Sequence, residues 1–334
     1  VADQGALGVR IEDVARAVGV SRATATRALR GQGRIAASTR ERVQRAAEQL
    51  GYVPNLMATE LASGARGGAI GLMLRDAANP VYGQLFSALE VAAAAAGLEL
   101  VTVTIGADPG GERQVLALRR LLGMRVAGLL VATGGVDSAR LEPFAAEVPM
   151  VRVGRPEASP RIHAESYDEE WHGRLLAERV VALGHRDVVL LGASAETSYG
   201  EHRRGDDLER ALAGVAVRRL RTGPDPADGV PAALDAVAAG ASAVLCTSDV
   251  RQLAVLRGLA ARGLSASTTG WDGRMPGIDL LGLTTVRMPV EEAATGAVDR
   301  LAALLGGEEL TLPTHRGWRG ELVVGRTLTE RGTA

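Results

Sequence analysis

Arg22, Arg27 and Arg30 share the outward side of a helical stretch near the start of the chain, with Ser21, Ala23 and Thr26 among them. Guanidinium groups fork phosphate oxygens and guanine edges bidentately, so arginines in this pattern can bind the backbone and the base edges of DNA. Ala25, Ala28 and Leu29 occupy the other side. A short helix with small inward residues and arginines outside suits a major groove. Arg34 follows the loop Gly31-Gln32-Gly33, where it can meet a further phosphate.

The remaining reactive residue types have no spacing that supports catalysis. GADPGG at 106–111 offers glycines but lacks the Lys-Ser/Thr of a phosphate loop, and neither G-x-S-x-G nor H-E-x-x-H occurs. His163, His172, His185, His202 and His315 show no metal spacing. Asp168-Glu169-Glu170 reads as a solvated helix start rather than a catalytic pair. The single cysteine, Cys246, excludes an internal disulfide and a cysteine zinc cluster, and its apolar run ASAVLC predicts burial. No catalytic residue, metal or cofactor is expected.

The arginine-bearing helix needs elements to hold it. Ile11, Val14, Ala15 and Val18 form the apolar stripe of a preceding helix. Gly19 then permits an unusual backbone, Val20 plugs the corner, and Ser21 caps the second helix. A third helix is predicted from about Ser38 to Leu50, ended by Gly51. Asn55 can cap a short helix over 55–62, which would be marginal in water on its own and is a candidate switch, and the glycines after it form a linker. From Ala69 apolar runs at 69–74, 98–105, 126–132, 148–154, 187–193 and 241–248 alternate with helical stretches at 82–96, 112–122, 171–183, 201–213 and 250–262. Such alternation implies parallel sheets covered on both faces, here two doubly wound lobes with a cleft between them.

The 334 residues carry a net charge of −1, which conceals an asymmetry. Residues 1–66 hold 10 arginines against 6 acids, and residues 67–334 hold 28 against 33. A basic head on an acidic body fits a nucleic-acid reader with a separate regulatory domain. The chain has no membrane-length apolar run and no leader pattern, so a cytoplasmic protein is expected.

Residues 11–29 resemble the helix-turn-helix signature of the lac repressor/gal repressor family of bacterial transcription regulators: an IxDVA opening, a VGVS turn, and T-A-x-x-A-L. TRERVQRAAEQLGYVPN at 39–55 is similar to the family's third helix and the start of its hinge. IGLMLRDAANPVY, RVAGLLVA, VPMVRVGRP, ALGHRDVVLLG, SDVRQLAVLRGL, GWDG and LTTVRMPV resemble later family blocks in order, so the resemblance spans about residues 9–328. It implies an all-α helix-turn-helix DNA-binding head at 9–54, a hinge helix and linker at 55–68, and an α/β periplasmic-binding-protein-like body at 69–328. The implied N-lobe covers about 69–164 and 288–316, and the C-lobe about 165–287 and 317–328. It also implies a homodimer on a pseudo-palindromic operator, read by Ser21, Arg22, Ala23, Thr26, Arg27, Arg30 and Arg34. Asn55 caps the implied hinge helix, and Leu61 matches a leucine wedged into the minor groove.

The resemblance places effector contacts at Asp76, Asn79, Tyr82, Arg155, His202, Ser248, Trp271 and Asp272. The Asp272 carboxylate could accept from two sugar hydroxyls, and Trp271 or Tyr82 could stack on a pyranose face; packing is the competing role for each aromatic. His202 stands where many members carry a ligand-clamping arginine. Three further departures bear on structure. Arg10 replaces the threonine that caps the first helix, Ala36 replaces a serine cap, and the stretch between Gly263 and Gly270 is short enough to abbreviate the strand before Trp271. The implied function is a ligand-responsive repressor of carbohydrate uptake or catabolism genes. A cytoplasmic sugar or nucleoside binding protein without a genetic role is the alternative, and an enzyme the third reading.

Overall fold

The computed structural model describes residues 9–29, 33–52, 69–75, 80–106, 108, 110–308 and 314–332. The chain divides into two compact units, Val1–Arg66 and Gly67–Ala334.

In the first unit, α1 (Ile11–Val18), α2 (Arg22–Leu29) and α3 (Ala37–Leu50) enclose a core of Val14, Ala15, Val18, Ala25, Ala28, Val43 and Ala47. Gly19 ends α1 at φ 72° and Gly51 ends α3 at φ 67°, the left-handed conformation that glycine takes without a Cβ penalty. Arg10 brings no capping hydroxyl, but the Asp13 carboxylate accepts from the Arg10 N–H at 3.0 Å, so one half of a capping box survives. Ala36 has no such substitute: α3 begins at Ala37 without a side-chain cap. Arg42 donates to the Val18 carbonyl at 2.7 Å and satisfies a helix end that would otherwise be orphaned.

The second unit begins with β1 (Ala69–Leu74), α4 (Pro80–Ala95), β2 (Glu99–Thr104), α5 (Glu112–Gly123), β3 (Leu129–Ala132), α6 (Ser138–Ala145), β4 (Met150–Val153) and β5 (His163–Tyr167). It continues with α7 (Glu169–Ala182), β6 (Asp187–Ala193), α8 (Tyr199–Ala211), β7 (Ala216–Thr222), α9 (Val230–Ala238), β8 (Ala243–Cys246), α10 (Asp249–Arg262), β9 (Ser267–Asp272), α11 (Ile278–Leu281) and β10 (Thr285–Arg287). The chain then returns through α12 (Val290–Leu305) and β11 (His315–Trp318) before β12 (Glu321–Val323).

Two six-stranded sheets result, in orders β11-β5-β4-β3-β1-β2 and β12-β10-β9-β8-β6-β7. Among the described residues all pairings are parallel except β10 with β12. In each sheet the order reverses beside its first strand, at β1 and at β6, which opens a crevice outside the strand carboxyl ends. β11 belongs to the first sheet and β12 to the second, so three crossings join the lobes.

The strand before Trp271 is complete, contrary to the expected abbreviation: Ser267–Asp272 pairs with β8 on one side and β10 on the other. The missing residues come out of the turn, because Gly263 at φ 63° caps α10 and only 264–266 separate it from β9. Among the described residues no helix is long and apolar enough to cross a membrane.

Candidate nucleic-acid interface and ligand cleft

The head presents α2 with Ala25 and Ala28 inward and Ser21, Arg22, Ala23 and Arg27 exposed. The Ser21 hydroxyl accepts from the Thr24 N–H at 3.1 Å, as an N-cap does. Thr26 turns its hydroxyl back onto the Arg22 carbonyl at 2.9 Å, and Arg27 Nε donates to the Ala23 carbonyl at 3.2 Å. Arg22 Nε lies 3.1 Å from Glu12 Oε1. Exposed pairs of this kind contribute about 0–1 kcal/mol, so Arg22 can exchange Glu12 for a phosphate at little cost. Arg34 is exposed on the loop before α3.

The body holds a cavity of about 190 Å³ where the carboxyl ends of the two sheets face each other. Arg75 after β1, Gly134 after β3, Arg155 after β4 and Tyr167 at the end of β5 line one face. Tyr199, Glu201 and Arg204 of α8, Ser248 after β8 and Asp272 at the end of β9 line the other. The faces touch. Arg75 donates to Ser198 Oγ at 3.1 Å and to the Thr197 carbonyl at 2.6 Å. The Arg155 guanidinium lies 3.7 Å over the Tyr199 ring. A Cβ on Gly134 would fall 2.9 Å from Tyr199 Cβ, so glycine there permits the approach.

Arg204 is the hub of the second face. Its Nε donates to Glu169 Oε1 at 3.0 Å, and its Nη1 to Asp272 Oδ1 at 2.8 Å and to the Thr247 carbonyl at 3.1 Å. The Gly320 N–H donates to His172 Nε2 at 2.7 Å, so the ring proton sits on Nδ1, which donates to Glu169 Oε2 at 3.1 Å. Burial alone would raise the Glu169 carboxyl, but Arg204 and His172 outweigh it and hold it below the usual carboxylate range. Burial dominates at Asp272, with Arg204 opposing and Asp249 reinforcing, and pushes this carboxyl up to about 7. Asp249 is raised to about 6 by burial, against hydrogen bonds from Thr285 and Gly273. Asp272 also sits at φ 105°, a backbone conformation costly for a residue with a Cβ and frequent at ligand sites. Among the described residues no group of three His, Cys, Asp or Glu side chains could hold a metal ion.

A model of bacterial regulatory proteins of the lacI family matches residues 10–55, and one of a periplasmic binding protein-like domain matches residues 177–328. The HTH-type transcriptional regulator PtxS of Pseudomonas plecoglossicida is 29% identical over 95% of this chain and 94% of its own. Over most of its length the chain is similar to LacI-family regulators. The Escherichia coli maltose regulon regulatory protein MalI is 33% identical over 59% of this chain and 57% of its own. Among solved structures, the lac repressor dimer bound to operator and the anti-inducer ONPF superposes with a TM-score of 0.82 at 24% identity, covering 97% of this chain and all of that one. A transcriptional regulator CelR–cellobiose complex superposes at 0.67 with 26% identity, over 96% and 99% of the two chains. These LacI-family relatives are transcriptional regulators.

Of the effector positions expected from the LacI family, Tyr82, Arg155, Ser248 and Asp272 line the cavity. Trp271 does not. It is fully buried in the core, with its ring 5.9 Å from the Arg204 guanidinium, so it supports the hub from behind and offers no stacking face. His202 also lies outside the lining, with Nε2 3.3 Å from Asp206 Oδ2. Arg204, two residues later on the same helix, lines the cavity. Glu201 and Arg204 are three residues apart and share one helix face, a spacing that could have identified them. Glu169 overturns the solvated-helix reading: it is 7% exposed and both its oxygens are engaged. Arg75, Tyr167 and Tyr199 carried no sequence signal. Cys246 is buried, and burial pushes its thiol well above the ordinary range. Arg30, Asn55, Leu61, Asp76 and Asn79 lie outside the described residues.

Proposed function

We propose that this protein represses carbohydrate uptake or catabolism genes by binding a pseudo-palindromic operator as a homodimer, one α2 per half-site, under control of a sugar-sized effector in the cleft. The observation that carries this reading is the pairing of a basic exposed second helix with a cavity lined by both sheets' carboxyl ends. LacI-family regulators bind operator DNA and sugar effectors, typically as dimers. The named ligands of similar structures, cellobiose and D-xylulofuranose, are carbohydrates.

The contacts proposed for DNA are Ser21, Arg22, Ala23, Thr26, Arg27, Arg30 and Arg34, with Ala23 giving a methyl contact to thymine. Leu61 would wedge the minor groove from a hinge helix begun at Asn55, unstacking a step for roughly a few kcal/mol that wider contact recovers. The effector contacts proposed are Tyr82, Arg155, Ser248, Asp272 and Arg204, with Asp76 and Asn79, which follow β1 in the sequence. An effector that prefers one lobe arrangement shifts operator affinity only by its differential affinity for the two arrangements.

A gel shift with the promoter region adjoining its own gene tests the DNA arm. The wild-type chain is expected to retard this DNA, and Arg27→Ala to weaken binding by about five- to a hundred-fold through loss of a bidentate base contact. No retardation at low salt by folded protein would refute the reading.

A further inference from the structure

Among the described residues the two faces of the cleft carry charge differently. On the second face every lining carboxylate has a cation: Glu169 and Asp272 share Arg204, and Glu201 Oε2 accepts from Arg251 Nε at 2.6 Å. On the first face the charged lining side chains among the described residues are Arg75 and Arg155. Their partners among the described residues are neutral. Arg75 meets the Thr197 carbonyl and the Ser198 hydroxyl, and Arg155 meets the carbonyls of Gly134 and Val136 and the Tyr199 ring.

Two polar atoms in the same cavity also lack partners among the described residues. Arg155 Nε is buried without an acceptor, and Ser248, 2% exposed and lining the cavity, has an unpartnered hydroxyl. A guanidinium withdrawn from water and given only neutral acceptors gains most from an incoming anion, because charge-assisted hydrogen bonds are about twice as strong as neutral ones. The opposing acids do not cancel this field: Arg204 and Arg251 already compensate them, and burial biases Asp249 and Asp272 toward their neutral forms. The volume, about 190 Å³, is below the common ligand-pocket range and suits a single ring.

We propose that the effector is an acidic monosaccharide derivative whose anionic group sits against Arg75 and Arg155 while its hydroxyls reach Ser248 and Asp272. This rests on the effector-cleft reading above and narrows it. A carboxylate and a phosphate ester share the required chemistry, so both are tested.

Calorimetric titration of the full chain uses matched sets: glucose with gluconate, glucuronate and a glucose phosphate, and galactose with galacturonate and a galactose phosphate. At least one acid is expected to bind about ten- to a hundred-fold tighter than its neutral parent. Its affinity should fall with added salt. Arg155→Gln is expected to erase the difference between acid and parent, and Arg155→Lys to retain part of it, with thermal midpoints confirming that both variants fold. If Arg155→Gln does not fold, Arg75→Gln reads the same difference. Tighter binding by carboxylates than by phosphates, or the reverse, identifies the source of the anion.

A neutral parent that binds as tightly as its acids overturns this proposal and leaves the effector cleft standing. No binding by any sugar, neutral or charged, in a preparation that still binds operator overturns both.

Discussion

Replacing Arg204 by methionine isolates the strongest electrostatic unit of the cleft. The substitution keeps most of the side-chain volume and removes the cation that bridges Glu169 and Asp272, both nearly buried. Breaking a buried ion pair by removing one partner costs about 3–5 kcal/mol, because the surviving charge stays desolvated. At about 2–4 °C per kcal/mol for a domain of this size, the midpoint should fall by roughly 6–20 °C. The deficit should depend on pH. Without Arg204 both carboxyls would be raised in the folded state above their unfolded values. A group raised in this way contributes stability below its unfolded pKa and loses it as pH rises through the folded one. The variant should therefore lose more midpoint between about pH 5 and about pH 8 than the wild type. The triple variant Arg204→Met, Glu169→Gln, Asp272→Asn should recover much of the loss, since it leaves no unpaired charge. Circular-dichroism melts at both pH values read all three effects. A deficit of the same size at both pH values, or no recovery in the triple variant, would refute the assignment of Arg204 as charge compensation.

Ser21→Ala removes the cap of α2 and should cost about 1 kcal/mol, seen as a drop of about 4–8 °C in melting of the head; an unchanged midpoint would show that the cap hydrogen bond contributes nothing. Gly134→Ala should push Tyr199 away and weaken the Arg155 stack, worth about 0.5–2 kcal/mol, so effector affinity should fall by about two- to thirty-fold in calorimetry. His163 and His185 are held below the ordinary value of 6.5 by burial. Both are therefore neutral in the fold near pH 7, and stability is lost as pH falls below 6.5 toward their folded values. The ring resonances of His163 and His185 should titrate below 6.5, and His185→Gln should flatten the acid side of the melting profile.

Legibility in the sequence followed the physics of each element. The head was readable because three short helices on a small core leave strong marks: periodic apolar residues, Ser21 at a cap, glycines at two ends. The strands fully buried on both faces, such as Ala69–Leu74 and Asp187–Ala193, were readable as unbroken apolar runs. β7 was not, because AVRRLRT carries three arginines and lies at a sheet edge where alternate residues are wet. β5 was hidden for a different reason: HAESY is polar yet wholly buried, its Glu165 held by the Trp318 indole at 2.7 Å. That partner lies 153 residues later and cannot be inferred locally. The same limit applies to the cleft. Tyr82 and Asp272 could be placed from their sequence motifs, although Tyr82 lies in α4 and Asp272 ends β9, whereas Glu169 looks like any helix-start acid until Arg204 and His172 are brought to it. Arg204 was hidden because a family block gives position along α8 but not which helix face meets the cavity.

Reciprocity of binding tests the central claim most directly. The full chain is titrated with its operator in the presence and absence of the compound that binds the cleft, and with that compound in the presence and absence of operator. The account predicts that each ligand changes the other's dissociation constant by one common factor, about 5- to 150-fold. Equal operator affinity with the cleft filled and empty would contradict it.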